Sequence, residues 1–102
     1  MFIAMNRFKI KCGSEEAFEK MWTNRETFLE GVAGFESFQL LKGSKFAEHT
    51  LFATHTVWAS RQSFEDWTRS EAFRKAHVGV GSSKELHQGP PELELFESVL
   101  DL

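Results

Sequence analysis

Apolar and polar residues alternate with period two at the start of the chain, over residues 2–11. This period is typical of a strand, because successive side chains point to opposite faces of a sheet. One face of the predicted strand carries Phe2, Ala4, Asn6, Phe8 and Ile10. Asn6 is the one polar member of that face, so the pattern places an amide among apolar side chains.

A helical period follows the first strand. Gly13 and Ser14 offer a turn and an N-cap, and two glutamates fall in the first turn, where the helix dipole favours acidic side chains. The stripe with helical spacing comprises Phe18, Met21, Trp22, Arg25 and Leu29. The pattern predicts that this helix ends near Gly31 or Gly34.

The middle of the chain predicts two strands and then a broken helix. FESFQLLKG (35–43) and TLFATHTVW (50–58) are both strand-like, and a polar connection between them favours an antiparallel pair. A short helix is predicted from Arg61. Ser70 then caps a second helical piece that runs through His77.

The last quarter of the chain predicts a loop and a final strand. VGVGSSKELHQGPP (78–91) is rich in glycine and closes with two prolines, and a loop of this length is often functional. ELELFESVLDL (92–102) has apolar residues on both faces. Such a strand is usually covered on both sides.

The order strand, helix, strand, strand, helix, strand predicts an α+β fold of the ferredoxin-like, split βαβ type, a four-stranded antiparallel sheet with helices on one face. A length of 102 residues corresponds to a single domain, residues 1–102. The other sheet face needs a cover, and a second copy of the chain is the simplest one. Two such sheets would form a dimeric α+β barrel, with a monomer as the alternative.

Composition narrows the classes of function. The net charge of −3 argues against a nucleic-acid partner, and one cysteine, Cys12, makes no internal disulfide. A signal-peptide pattern and an apolar run of about 18 residues are both absent from the sequence, which predicts a cytoplasmic protein without a membrane partner. Eleven Phe, three Trp and no Tyr suit a dry core or an apolar slot for a flat ligand.

WTRSEAFRKAH (67–77) carries two candidate site residues on either side of Ser70. An unbroken helix would separate Trp67 from His77 by about 15 Å and roughly 80° of rotation, whereas a bend at Ser70 would direct both toward one cavity. Trp67 is either a core side chain below Phe64 or part of a cavity. His77 is either a helix-capping histidine or a neutral imidazole available to a metal or haem iron.

Two further residues have open interpretations. Asn6 either ties down a neighbouring backbone segment or is free for a ligand, because unmade hydrogen bonds of a buried amide cost about 1–3 kcal/mol. Arg25 pairs either with a ligand carboxylate or with a nearby glutamate. His87 lies in the predicted loop and carries no spacing signal. Motifs for hydrolase or kinase chemistry are not recognisable in the sequence.

Three stretches of the chain carry a family resemblance. MFIAMNRFKIKCGSEEAFE, GFESFQLLKG and VWASRQSFEDWTRSEAFRKAH resemble the IsdG-type haem-degrading monooxygenases, members of the antibiotic-biosynthesis-monooxygenase (ABM) superfamily of dimeric α+β barrels. The family's haem site combines an Asn on the first strand, a Trp on the later helix and a His shortly beyond it. Asn6, Trp67 and His77 match this trio in residue type and position.

The resemblance implies that His77 coordinates haem iron on the proximal side, that Asn6 hydrogen-bonds near the distal ligand or bound oxygen, and that Trp67 presses on the porphyrin and buckles it. Trp22 would line the same pocket, and Arg25 would approach a propionate. Haem would be both substrate and cofactor. O2 and electrons from an external reductase would complete a reaction that releases iron and an opened, biliverdin-like tetrapyrrole.

Two other functions remain open at this point. One is a haem carrier or buffer with the same pocket and no turnover. The other is a cofactor-free monooxygenase that acts on quinol-like aromatics. Haem binding separates the second alternative from the others, and oxygen-dependent loss of the haem spectrum separates an enzyme from a carrier.

Overall fold

The computed structural model describes residues 1–77 and 84–102. The elements are β1 (Phe2–Lys11), α1 (Glu15–Thr23), β2 (Phe35–Lys45), β3 (His49–Trp58), α2 (Arg61–Thr68), α3 (Glu71–Ala76) and β4 (Glu92–Glu97). The strands form one antiparallel sheet in the order β2-β3-β1-β4. This order confirms the predicted ferredoxin-like α+β fold.

The helices pack on the sheet face that carries the apolar side chains of β1. The buried residues between helices and sheet form two clusters. The first cluster contains Phe2, Leu29, Trp58, Trp67 and Ala76. The second cluster contains Phe8, Ile10, Phe18 and Phe52. Phe2 begins β1 and Ile10 lies near its end, so the two clusters occupy opposite ends of this strand. Asn6 falls between them.

The predicted extent of the first helix is wrong. The helix ends at Thr23 rather than near Gly31 or Gly34. Leu29 is nevertheless buried, and it is delivered to the core by an irregular segment in which Phe28 has a φ of 58°. The apolar period therefore continued past the helix because Leu29 belongs to the core, although the backbone that carries it is not helical.

The last strand is also shorter than the predicted 92–102, since β4 ends at Glu97. Glu97 pairs with Phe2, the first residue of β1. One more hydrogen bond follows this pair, from the Ser98 backbone N–H to the Met1 carbonyl at 2.9 Å, and the chain then leaves the sheet, with Val99 and Leu100 exposed.

The predicted helix break at Ser70 is confirmed. The Ser70 hydroxyl donates to the Trp67 carbonyl at 2.6 Å and accepts the Phe73 backbone N–H at 3.1 Å. It therefore closes α2 and caps α3 with one side chain. His77 occupies the C-cap of α3.

The face of the sheet opposite the helices, called here the outer face, carries apolar side chains. Ile3 on β1 pairs with Val57 on β3 and with Phe96 on β4, so these three side chains share this face. Phe96 is 45% exposed and Leu41 is 41% exposed. Among the described residues, no helix has both the length and the apolar character needed to span a membrane.

Candidate active site

A cavity of about 740 Å³ lies between the helices and the sheet. This volume falls within the range of roughly 300–1,000 Å³ that is typical of small-molecule sites. The residues that the sequence singled out all line it: Asn6, Trp22, Arg25, Trp67 and His77. The fold therefore brings side chains from β1, α1, α2 and the end of α3 to one place.

Asn6 lies on the sheet surface of the cavity, where it is half-buried. Its neighbours in the ladder are Thr54 on β3 and Leu93 on β4, and both also line the cavity. In the described part of the chain, no hydrogen bond joins the side-chain amide of Asn6 to a neighbouring segment. Of the two interpretations, the geometry favours an amide that is free for a ligand.

Trp67 belongs to both the core and the cavity. It is only 7% exposed, and its ring centroid lies 6.1 Å from that of Trp58 and 5.5 Å from that of Phe73, the latter edge-on. Packing on two sides fixes the indole in one orientation. Trp67 is therefore a rigid side chain at the boundary of the cavity.

Trp67→Ala is expected to lower the free energy of unfolding by about 3–5 kcal/mol, because it leaves a large void in the first cluster. Urea unfolding followed by circular dichroism measures this loss. Trp22→Ala is the matched control, since Trp22 lines the same cavity but is only half-buried, and its loss should be smaller. Equal losses in the two variants would contradict the core role of Trp67.

His77 is held by a hydrogen bond from its own ring. Its Nδ1 lies 2.7 Å from the Phe73 carbonyl oxygen, and its ring centroid lies 4.0 Å from that of Phe73. A carbonyl only accepts, so Nδ1 carries the proton. In the neutral imidazole Nε2 then keeps its lone pair, which is the state of a metal-ligating histidine. The two interpretations are therefore compatible. Nδ1 caps the end of α3, and Nε2 has the lone pair that a metal ligand requires.

Arg25 has a partner that the sequence did not indicate. Within the described ranges it has no glutamate partner, and its Nη2 donates to the Ala76 carbonyl at 2.6 Å. Its Cζ lies 4.4 Å from the centroid of the Trp22 ring, and burial lowers the pKa of its guanidinium. Ala76 directly precedes His77, so Arg25 ties the segment after α1 to the end of α3.

His87 is a cavity residue that the sequence reasoning missed. It pairs with Ile10 in an isolated bridge, and its ring lies 5.6 Å from Phe8 and 5.7 Å from Phe18. Burial lowers the pKa of its imidazole. These contacts are with residues distant in sequence, so no local period signals them.

The predicted loop contributes one edge of the cavity through its described part. Its lining residues are Lys84, His87, Gly89, Pro90 and Pro91. Residues 78–83 of that loop lie outside the described residues.

Comparison with known proteins defines the class. The chain belongs to the antibiotic biosynthesis monooxygenase family, whose model matches residues 1–79. Within this class it is 36% identical over 92 residues to the staphylobilin-producing heme oxygenase 1 of Staphylococcus aureus strain Newman, an alignment that covers 87% of this chain and 82% of the relative. The predicted resemblance to the IsdG-type haem-degrading monooxygenases is thereby confirmed.

Solved structures agree with this assignment. The heme-degrader MhuD from Mycobacterium tuberculosis, with two hemes bound in its active site, is 30% identical with a TM-score of 0.76, and the match covers 100% of this chain and 99% of that one. SnoaB, a cofactor-independent oxygenase from Streptomyces nogalater, is 20% identical with a TM-score of 0.69, covering 99% of this chain and 95% of that one. The likeness to SnoaB shows the fold alone.

Proposed function

We propose that this protein is a haem-degrading monooxygenase that binds haem in the cavity and opens its porphyrin ring with O2 and external electrons. The products are free iron and an opened, biliverdin-like tetrapyrrole. The observation that carries the proposal is the hydrogen bond from His77 Nδ1 to the Phe73 carbonyl, because it leaves an Nε2 lone pair at a cavity large enough for a flat ligand.

The residues that line the cavity fit haem in chemical type. Aromatic rings from three sides suit an apolar, planar macrocycle: Phe8, Trp22, Phe38, Phe64 and Trp67. A neutral imidazole is a normal ligand of haem iron. Haem is the substrate as well as the cofactor, and once bound it supplies the oxygen chemistry.

The chain's own residues then orient the ligand. We assign His77 to hold the iron on the proximal side, and Asn6 to donate an amide N–H near the distal ligand without titrating. Trp67, which Trp58 and Phe73 hold in place, would press on a bound porphyrin and buckle it. The Ser70 hydroxyl, which ends α2 and begins α3, sets the relative placement of Trp67 and His77.

Trp22 and Arg25 are assigned supporting roles in binding. Trp22 lines the cavity and carries the Arg25 guanidinium on its ring. One N–H group of Arg25 is engaged by the Ala76 carbonyl, and a guanidinium has five donors, so the others remain for a haem propionate. Arg25 would therefore connect the backbone next to His77 with the propionate edge of the ligand.

Turnover separates the proposed enzyme from its alternatives. Haemin is titrated into the protein while the Soret band is recorded, and a reductant is then added in air with catalase present to remove peroxide. We expect saturable binding, then oxygen-dependent bleaching with release of chelatable iron. Binding without bleaching would instead indicate a haem carrier. Absence of specific binding would indicate a cofactor-free monooxygenase acting on quinol-like aromatics.

We further propose that residues 1–102 form one domain and that two copies pack through their outer faces as a dimeric α+β barrel in the cytoplasm, served by an electron-donating reductase. The exposed apolar side chains of the outer face support the dimer. Each protomer would keep its cavity on the far side of its sheet. Haem access would therefore not require the dimer to open.

Val57→Glu is expected to raise the dissociation constant of this dimer at least about 100-fold, because it buries an unpaired charge at the interface. Sedimentation at several concentrations measures the change. Gln62→Glu adds the same charge on exposed α2 and should leave the dimer intact. A wild-type protein that is monomeric at micromolar concentration would overturn the proposed assembly.

A further inference from the structure

We infer that His87 is a second carboxylate-recognising residue of the cavity, besides Arg25, and that its Nε2–H donates a hydrogen bond to a propionate of the bound porphyrin. The inference rests on the proposed function and deepens it. It assigns a second histidine, on the loop before β4, to the same ligand. The two histidines would then contact different parts of that ligand, one the metal and the other an acidic side group.

The position of the His87 ring is fixed by the strand beneath it. Its neighbour Gln88 donates its backbone N–H to the Lys9 carbonyl at 2.7 Å, and His87 itself bridges to Ile10. The ring then packs edge-on against Phe8 and Phe18. An imidazole held in this way presents a defined edge to the cavity that it lines.

The surroundings of the two ring nitrogens decide where the proton resides. His87 Nδ1 is buried and has no hydrogen-bond partner among the described residues. A proton on Nδ1 would bury an unpaired N–H, so the favourable tautomer of the neutral ring carries its proton on Nε2. Burial also lowers the pKa of His87, which keeps the ring neutral near pH 7.

His77 and His87 are therefore opposite in chemical character. His77 bonds through Nδ1–H and leaves an Nε2 lone pair, which suits a metal. His87 leaves an Nε2–H donor, which suits an anion or another acceptor. One histidine follows Ala76 of the first cluster, and the other packs on the second cluster, so they approach the cavity from its two ends.

A positive charge accompanies the donor on the same turn. Lys84 lines the cavity, and its carbonyl accepts the backbone N–H of His87 at 3.1 Å. An ammonium group and an imidazole N–H within one turn favour a carboxylate over a neutral acceptor. Porphyrin propionates are carboxylates at one edge of an apolar ring, so a ligand of this shape matches both the apolar rings and this turn.

The test compares two ligands that differ only at the carboxylates: haemin and haemin dimethyl ester. Dissociation constants are measured by Soret titration for the wild type, His87→Phe and His87→Gln. We expect His87→Phe to weaken haemin binding about ten-fold and to change ester binding less than about two-fold. His87→Gln, which keeps an N–H donor, should restore most of the haemin affinity.

Each other outcome is decisive. If His87→Phe loses affinity equally for haemin and for the ester, the loss indicates packing alone and overturns the inference. Unchanged haemin affinity in His87→Phe would overturn it as well. Both results leave the proposed function intact, whereas absence of haemin binding by the wild type would overturn the proposed function itself. Nitrogen-15 NMR of the unmodified protein covers the case of a misfolded variant, since a proton on His87 Nδ1 would contradict the assigned tautomer.

Discussion

His77→Ala is expected to lower haem affinity at least about 100-fold and to abolish haem degradation, because it removes the nitrogen lone pair assigned to the iron. The fold should persist, since His77 is exposed at the end of α3. Soret titration measures the affinity, and release of chelatable iron measures the degradation. Circular dichroism checks that the variant is folded.

Two controls test whether the loss of affinity is specific to His77 and to its role as iron ligand. His49→Ala removes a half-buried histidine at the start of β3 that stacks on Phe46 and does not line the cavity, so the haem affinity of this variant should match that of the wild type. Free imidazole added to His77→Ala should restore part of the Soret spectrum by supplying the missing ligand. Full affinity in His77→Ala, with no effect of imidazole, would exclude His77 as the iron ligand.

Asn6→Ala is expected to slow haem degradation about 100-fold while haem affinity stays within about three-fold of the wild type. One well-placed hydrogen-bond donor contributes about this much when it acts mainly on the transition state. Single-turnover bleaching gives the rate, and Soret titration gives the affinity separately.

Thr54→Val is the matched control for Asn6→Ala. Thr54 is the neighbour of Asn6 on β3 and lines the same cavity, so its replacement changes the polarity of the same region. Its degradation rate should fall less than about three-fold. A rate and an affinity that fall together in Asn6→Ala would assign Asn6 to binding, and equal rate losses in both variants would indicate a general effect of polarity.

Local signals in the sequence were enough for most of the fold. The period of β1, the start of α1 after Ser14 and the break at Ser70 each depend on residues within a few positions, and the element order then selects the ferredoxin-like topology. Ser14 occupies the predicted N-cap position, but its side chain makes no capping hydrogen bond. The ends of α1 and β4 depend on tertiary partners. Leu29 reaches the core without a helix, and β4 stops where β1 begins.

The candidate site also combines features that the sequence indicates with features that depend on tertiary contacts. The resemblance identified Asn6, Trp67 and His77 as a trio, and the structure places all of them at one cavity. Their roles toward haem remain predictions. The sequence did not show that Phe73 would hold the His77 ring or that Ala76 would accept from Arg25, because both depend on the geometry of a helix end.

His87 lay beyond the reach of sequence reasoning for a different reason. Its loop has no period, and its contacts with Phe8, Ile10 and Phe18 join the end of the chain to its beginning. Contacts of this kind become visible only when the sheet order is known. The loop's glycines and prolines indicated a functional segment, without indicating which side chain mattered.

A crystal structure of the protein with haemin tests the proposed site most directly. We expect the porphyrin in the cavity between the sheet and α3, with its iron bonded to Nε2 of His77 and the bond from Nδ1 to the Phe73 carbonyl retained. Haem seated outside this cavity, or iron bonded to another side chain, would contradict the proposal.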